Sequence, residues 1–371
     1  MRVRWLCALG LRPVAHLTMP SAVPASEQSI ADAADALSQG RLVALPTETV
    51  YGLGADGLSA QAVARIFAAK GRPSDHPLIL HVGSATEAKK LAAHWPPAAD
   101  RLANAFWPGP MTLILKRAAC VPDAVTGGQD TVGVRIPSHP VALALLKAFA
   151  TVGSGVIAAP SANRFGGVSP TRASDVSHGL GGFLEPGDMI LDGGSCEVGV
   201  ESTIVDLSGE LPRILRPGGL SREDIERTLR GVENAAVRPS ESAQVAVPRV
   251  SGSLESHYAP RAQVHLVSPD QILSVANEML TRRPGTRIAL MPFAGQGFDA
   301  DGHDPRLIIS GMPDTPQAYA QRLYAVMNDL DRLELDAILI ARPPQTVAWE
   351  AVLDRLRRAA TRLDDSATVG Q

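Results

Sequence analysis

Between Gly231 and Arg261 the regular spacing of apolar residues fades into Pro, Ser, Glu and Ala, and this break divides the chain into two unequal folding units. A division is expected at 371 residues, because one hydrophobic core stops growing at roughly 250 to 300 residues. The spacing predicts an N-terminal extension over 1–24, a first domain over 25–230, a linker over 231–262 and a smaller second domain over 263–371.

Before the break, strand and helix patterns mix. From Ser26 to Gln39 the apolar positions Ile30, Ala33, Ala34 and Leu37 keep helical spacing, with Ser26 placed to cap the start and Gly40 to end it. A short apolar strand, Leu42 to Leu45, breaks at Pro46 into a polar turn from Thr47 to Gly54, the kind of strand edge where sites often lie. A helix from Ala60 to Ala69 ends in Lys70-Gly71-Arg72-Pro73, and a strand, Leu78 to Val82, follows. Further strands are predicted at Met111 to Lys116, Thr131 to Ile136, Val156 to Ala159, Met189 to Leu191 and Thr203 to Leu207. Helices are predicted near Ala85 to Ala93, Val141 to Ala150 and Ser221 to Leu229.

After the break the order is strand Gln263 to Val267, helix Asp270 to Thr281, strand Thr286 to Met291, helix Pro316 to Leu330, strand Ala337 to Ala341 and helix Val347 to Ala359. Such alternation predicts a small Rossmann-like α/β domain, a parallel sheet with helices on both faces.

Several function classes are excluded early. A net charge of -3 gives no sign of a polyanion-binding surface overall, so any nucleotide contact must be local. Cys7, Cys120 and Cys196 stand far apart with no Cys-x-x-Cys spacing, which supports neither a disulfide framework nor a zinc cluster. Arg2, Arg4 and the run Trp5 to Leu11 imitate a secretory signal, but Arg12-Pro13 interrupts the run and Met19 offers a second start. No stretch reaches the ~20 apolar residues of a membrane span, and the cytoplasm is the expected compartment. There is no phosphate-binding Gly-x-x-x-x-Gly-Lys loop, no His-Glu-x-x-His and no Gly-x-Ser-x-Gly elbow. Gly153 to Ala158 fits a loose Gly-x-Gly-x-x-Ala pattern but precedes its strand, so the dinucleotide reading fails on context.

What remains is a series of polar clusters at the ends of predicted elements. They are Thr47, Thr49 and Tyr51; Lys70 and Arg72; His76 and His81; Thr131 and Arg135; Ser161 to Asn163 with Ser169 to Thr171; Glu201 to Thr203; and Arg216 to Gly218. Cations combined with hydroxyl and amide donors suit a pocket that grips anionic groups and lets bound substrates react with each other, by positioning and charge stabilisation. Taken singly, Lys70 and Arg72 also fit a solvated helix end, His81 a core histidine and Ser161 to Asn163 a plain turn. Composition and spacing therefore reach an anion-binding α/β enzyme.

In their order the clusters resemble the YrdC-type threonylcarbamoyl-AMP synthases in the longer, two-domain form. The stretches are Leu45 to Gly54, Lys70 to Val82, Trp107-Pro108-Gly109-Pro110-Met111-Thr112, Val134 to Pro137, Ala159-Pro160-Ser161-Ala162-Asn163, Glu201 to Asp206 and Arg216-Pro217-Gly218. The similarity covers about residues 25–230, and His257-Tyr258-Ala259-Pro260 with the smaller domain resembles the rest of the long form. It implies a YrdC-like α/β fold, a twisted mixed sheet with a large basic cavity. It also implies the conversion of L-threonine, bicarbonate and ATP to threonylcarbamoyl-AMP and pyrophosphate, with Mg²⁺ accompanying ATP and no metal held by protein side chains. The product would pass to a transferase acting on adenosine 37 of ANN-decoding tRNAs. Carried over by position, Thr49, His81, Arg135, Ser161 and Ser202 would line the threonine and carbamoyl end. Arg72, His76, Thr131, Asn163, Ser169 and Arg216 would surround the nucleotide, Lys70 would serve the phosphates, and Tyr258 would close the cavity as a lid. His76 stands where family members frequently show Asn. A competing expectation is a protein that holds double-stranded RNA or tRNA on the same basic surface without catalysis; the set Thr49, His81 and Ser202 speaks against it, since RNA phosphates would not require them. A hydrogenase-maturation carbamoyltransferase shares the module but carries Cys-rich zinc segments that this chain lacks.

Overall fold

The Ser26 hydroxyl accepts from the Ser29 amide, and the Ser29 hydroxyl accepts from the Ser26 amide. This reciprocal cap starts the first helix where the sequence pattern predicts. The structure is a computed structural model and describes residues 21–232, 248–252, 257–295 and 304–360. Chain order begins β1 (Ala22–Pro24), α1 (Glu27–Ser38), β2 (Val43–Leu45), β3 (Gly52–Asp56), α2 (Ala60–Lys70), β4 (Ile79–His81), α3 (Ala85–Lys90) and α4 (Pro97–Phe106). It continues with β5 (Met111–Lys116), α5 (Asp123–Thr126), β6 (Thr131–Arg135), α6 (Pro140–Val152) and β7 (Ile157–Ala158). The first domain ends with α7 (Ala173–Leu180), β8 (Met189–Asp192), β9 (Thr203–Asp206), β10 (Arg213–Arg216) and α8 (Arg222–Leu229).

These ten strands form one mixed sheet in the order β1, β8, β2, β3, β7, β4, β6, β5, β9, β10. Its middle strands carry the site because of their alternation. In β4 and β6, Leu80, Val132 and Val134 enter the main core with Ile66 and Phe67 of α2. Ile79, His81 and Arg135 point the other way, into a hollow. His81 and Arg135 are register partners across the parallel β4 and β6 pair, so pairing alone sets them side by side.

The second domain contains β11 (Gln263–Val267), α9 (Ile272–Arg282), β12 (Ile288–Met291), β13 (Leu307–Ile309), α10 (Pro316–Asp331), β14 (Ala337–Ala341) and α11 (Glu350–Ala359). Its sheet is parallel throughout, in the order β11, β14, β12, β13. Ala337, Leu339 and Ala341 of β14 pack with α9, while Ile338 and Ile340 pack with α10 and α11. Helices thus cover both faces, as the alternation predicts. The second core also takes in Val50, Val168 and Val200 of the first domain together with Tyr258, so the two domains share buried apolar surface.

Several expectations need correction. The segment assigned to the extension includes β1, which pairs in parallel with β8, so the first domain's sheet begins at Ala22. The turn expected through Gly54 gives way to strand β3 at Gly52, because β2 and β7 supply pairing on both sides that glycines do not favour on their own. α4, α5, α7, β10 and β13 lack a counterpart in the sequence pattern: they are short, proline-flanked or alanine-rich, with few large apolar residues to mark a face. Cys7, Met19 and the run Trp5 to Leu11 lie outside the described residues, as do 233–247 and 253–256 of the linker.

Candidate active site

Pro46 ends β2, and the Thr47 hydroxyl then organises the turn by donating to the Val50 carbonyl at 2.6 Å and accepting from the Thr49 and Val50 amides, both at 3.3 Å. This fixes Thr49, whose hydroxyl accepts from Arg135 Nη1 at 3.0 Å. Arg135 Nη2 lies 2.7 Å from Glu48 Oε1, a Coulombic contact without hydrogen-bond alignment. Burial pushes the Glu48 carboxyl up, but the Arg135 charge and the hydrogen bonds to the carboxylate, the Ser138 amide's among them, together outweigh it and hold it below the usual carboxylate range. His81 beside them is pushed down to about 3 by burial and then by the Arg135 charge, so its ring is neutral. Its Nδ1 has no partner among the described residues.

A second cationic group faces this one. Arg216, at the end of β10, donates from Nε and Nη2 to the Ser202 carbonyl at 3.2 and 2.9 Å and from Nη2 to the Ser202 hydroxyl at 3.1 Å. The Ser202 hydroxyl also shares a 2.8 Å bond with Thr112. Arg72, just past the α2 terminus, donates from Nη2 to the Pro77 carbonyl at 3.0 Å and to the Ser251 hydroxyl at 3.2 Å. Burial, opposed by Tyr258 and reinforced by Arg216, lowers Arg72 to about 10, which leaves it charged at neutral pH; its buried Nε–H has no partner among the described residues. Arg216 Nη1 donates to the Ser251 carbonyl at 2.9 Å. Two arginines, one just past a helix and one ending a strand, therefore converge on the oxygens of one linker residue.

Thr49, Arg72, His81, Arg135, Ser161, Ser202, Arg216 and Tyr258, all singled out from sequence, line one hollow with Glu201, Ser251 and His257. The expected large cavity is nevertheless closed down. Only about 50 Å³ is left for water-sized molecules, because Ser251, Gly252, His257 and Tyr258 lie across it.

Lys70, His76, Thr131, Asn163 and Ser169 are not among the residues lining this hollow. Lys70 is buried, and its ammonium donates to the carbonyls of Ser161 at 2.6 Å and Asn163 at 2.5 Å, pinning the loop that presents Ser161. Asn163 Nδ2 spans the same loop to the carbonyls of Arg164 and Gly167. Ser169 donates to Glu201 Oε1 at 2.6 Å. Thr131 lines a small adjoining hollow that shares Ile79 and Ser251 with the first, and His76 packs edge-on against Phe165. Among the described residues no cluster of three or more His, Cys, Asp or Glu could hold a metal, and no helix is long and apolar enough to cross a membrane.

Sequence reasoning gave no role to Glu48 or Glu201, although both sit inside the quoted motifs, and it missed Ser251 and Arg355 entirely. Ser251 carries no signal. Arg355 carries one: it lies among Val352, Leu356 and Ala359 on the apolar stripe of α11, a core-facing place for a charge.

Residues 35–218 match the family model Sua5_yciO_yrdC, described as telomere recombination, and residues 220–361 match the C-terminal domain of threonylcarbamoyl-AMP synthase. The chain is 39% identical over 339 residues to the threonylcarbamoyl-AMP synthase of Pyrococcus abyssi (strain GE5 / Orsay), covering 90% of this chain and 94% of that one. The enzyme of the same name from Bacillus subtilis (strain 168) is 37% identical over 344 residues, with 90% and 94% covered. Among solved structures, Pyrococcus abyssi Sua5 complexed with L-threonine superposes with a TM-score of 0.78 at 38% identity, covering 92% of this chain and 98% of that one.

Proposed function

We propose, from the premise that this chain belongs to the threonylcarbamoyl-AMP synthase family, that its hollow joins L-threonine, bicarbonate and ATP into threonylcarbamoyl-AMP, a nucleotidyl transfer carried out in the cytoplasm. The observation that carries this reading is the convergence of Arg72 and Arg216 on Ser251. Two buried guanidinium groups gripping a hydroxyl and a carbonyl oxygen are arranged as they would be for phosphate oxygens, and the unpartnered Arg72 Nε–H is a further donor.

ATP needs far more than the present free volume, so the stretch from Arg249 to Gly252 and the Tyr258 ring would swing aside for entry and return afterwards. Closure then excludes water from the labile acyl-adenylate. At the other end Arg135 and Thr49 would take the threonine carboxylate and hydroxyl, while neutral His81 leaves the amine free to react. The amine and bicarbonate give a carbamate and water; a carbamate oxygen attacks the α-phosphorus, and pyrophosphate leaves. Arg216, already fixed by three bonds to Ser202, is poised to offset charge on the transferring group without reorganising. Mg²⁺ would enter on the phosphates of ATP, since Glu48 and Glu201 are both committed to arginines; bound there, it would offset charge on the leaving pyrophosphate. The adenylate would then pass to the transferase that modifies adenosine 37 of tRNA.

Incubation of the purified protein with ATP, labelled bicarbonate and threonine should yield a labelled adenylate, with pyrophosphate release dependent on both co-substrates. Salt-sensitive binding of RNA with no such turnover would replace this reading by the non-catalytic one.

A further inference from the structure

We propose that Arg355, on α11 of the second domain, is a positioning residue for the reaction in the first domain: it balances Glu201 in the wall of the hollow and holds the Tyr258 ring across it. The second domain is thereby a component of the active site. This role rests on the reading of the hollow as the threonine and ATP site.

Arg355 is only 1% exposed and spends each of its nitrogens. Nε donates to Glu201 Oε2 at 2.7 Å, Nη2 donates to the Pro217 carbonyl at 3.0 Å, and Nη1 pairs with Asp354. Its Cζ lies 5.2 Å from the centre of the Tyr258 ring. Glu201 is held from its other side by the Ser169 hydroxyl, 2.6 Å from Oε1, while Tyr324 of α10 donates to Oε2 at 3.1 Å. The Tyr258 and Tyr324 rings stack at 5.8 Å. Two helices of the second domain therefore grip one carboxylate of the first, and the ring that covers the hollow lies on the same two helices.

The chemical consequence follows from location. Glu201 lines the hollow and precedes Ser202, while Pro217 follows Arg216, so Arg355 fastens the chain next to two lining residues at once. With Arg355 removed, Glu201 would be a buried carboxylate without its counter-ion, facing the place where anionic phosphates must come and competing for Arg216. An adhesive role alone would not require this placement. Among the described residues the other ion pairs that join the domains, Arg172 with Asp329, Arg332 with Asp175 and Arg222 with Glu350, keep their arginine side chains 27 to 29% exposed, as rim contacts do.

The test uses full-length protein and the variants Arg355→Met, Arg355→Lys, Glu201→Gln and the double variant Arg355→Met/Glu201→Gln. Turnover is read as threonine- and bicarbonate-dependent pyrophosphate release. A substrate-free reading is amide exchange at His257 and Ala259, whose N–H groups donate to the carbonyls of Arg358 and Gly166. We expect Arg355→Met to lower kcat/KM for ATP about a hundredfold and Arg355→Lys less than about tenfold, with the double variant within about threefold of Glu201→Gln alone. Exchange at the two amides should be about tenfold faster in Arg355→Met and near wild type in Arg355→Lys. A double variant whose loss equals the product of the two single losses, or a Lys variant as impaired as the Met variant, would overturn the proposal. So would wild-type turnover and exchange in Arg355→Met. If Arg355→Met does not fold, recovery of folded, active protein in the double variant supports charge compensation, and failure of the double variant counts against it. A wild-type protein without turnover would remove the threonine and ATP reading, and the exchange result would then decide the positioning claim separately.

Discussion

Buried charge at this site is balanced residue by residue, and His81 shows how that can be measured. Its pKa falls to about 3 in the folded protein through burial and Arg135, against an ordinary value near 6.5 when unfolded. Above that ordinary value the ring is neutral in both states and its contribution to stability is complete. As the pH drops below it only the unfolded chain takes up the proton, so stability is lost at about 1.4 kcal/mol per pH unit until the folded value is reached. Thermal melts between pH 7 and 5 should therefore fall less steeply in His81→Asn than in wild type, and parallel slopes would show that His81 is not the group responsible. Lys70 makes the complementary point. Its ammonium satisfies two buried carbonyls, so Lys70→Met should cost about 2 to 3 kcal/mol in urea unfolding in addition to any loss of turnover. A Met variant as stable as wild type would return Lys70 to a purely phosphate-facing role.

At the scale of elements, the controlling piece is the linker stretch that crosses the hollow. Tyr258 adopts φ 62, a left-handed conformation that costs a bulky residue about 1 to 3 kcal/mol unless its surroundings enforce it. Enforcement comes from the stack on Tyr324 and from Gly252, whose φ is 82 and where an added Cβ would sit 2.1 Å from the Tyr258 hydroxyl. Gly252→Ala should dislodge both, giving faster proteolysis near Tyr258 and weaker turnover while the melting temperature changes by only a few degrees, since the strands beneath are untouched. Unchanged cleavage would mean that the stretch accommodates the methyl group and is not tightly seated. Well-patterned elements such as α1, α2, β5, β11 and β14 are legible in the sequence because their apolar spacing is local. β1, β3 and β10 are not: all three are short, β1 and β3 draw on the distant strands β8 and β7, and β10, the hairpin partner of β9, is Arg-Ile-Leu-Arg with too little apolar pattern to mark it.

The whole molecule is two domains closed on a shared core, with α10 pressed directly against the first domain. At Gly199, φ 77, an added Cβ would lie 2.4 Å from the Ala320 carbonyl and Gln321 Cα of α10. Gly199→Leu should pry the domains apart, seen as a larger radius of gyration in solution scattering and as a turnover loss similar to that of Arg355→Met. A compact, fully active Gly199→Leu protein would contradict the view that docking shapes the site. Removing 263–371 should likewise do more than weaken activity. It would expose Val50, Val168 and Val200 and leave Glu201 without Arg355, so the remaining fragment should aggregate or melt well below the full chain.

The amino-acid order alone determined that two α/β units are joined by a break, which family they resemble, and which hydroxyls and arginines stand at strand ends, since periodicity and motif are properties of neighbours along the chain. Which of those groups face one hollow was decided by sheet pairing: register sets His81 beside Arg135, while Lys70 and Asn163 turn inward to carbonyls of the loop that presents Ser161. The charge on Glu201 is balanced by Arg355, 154 positions away. No local pattern encodes that distance, because a buried ion pair is chosen by the space left when two domains close.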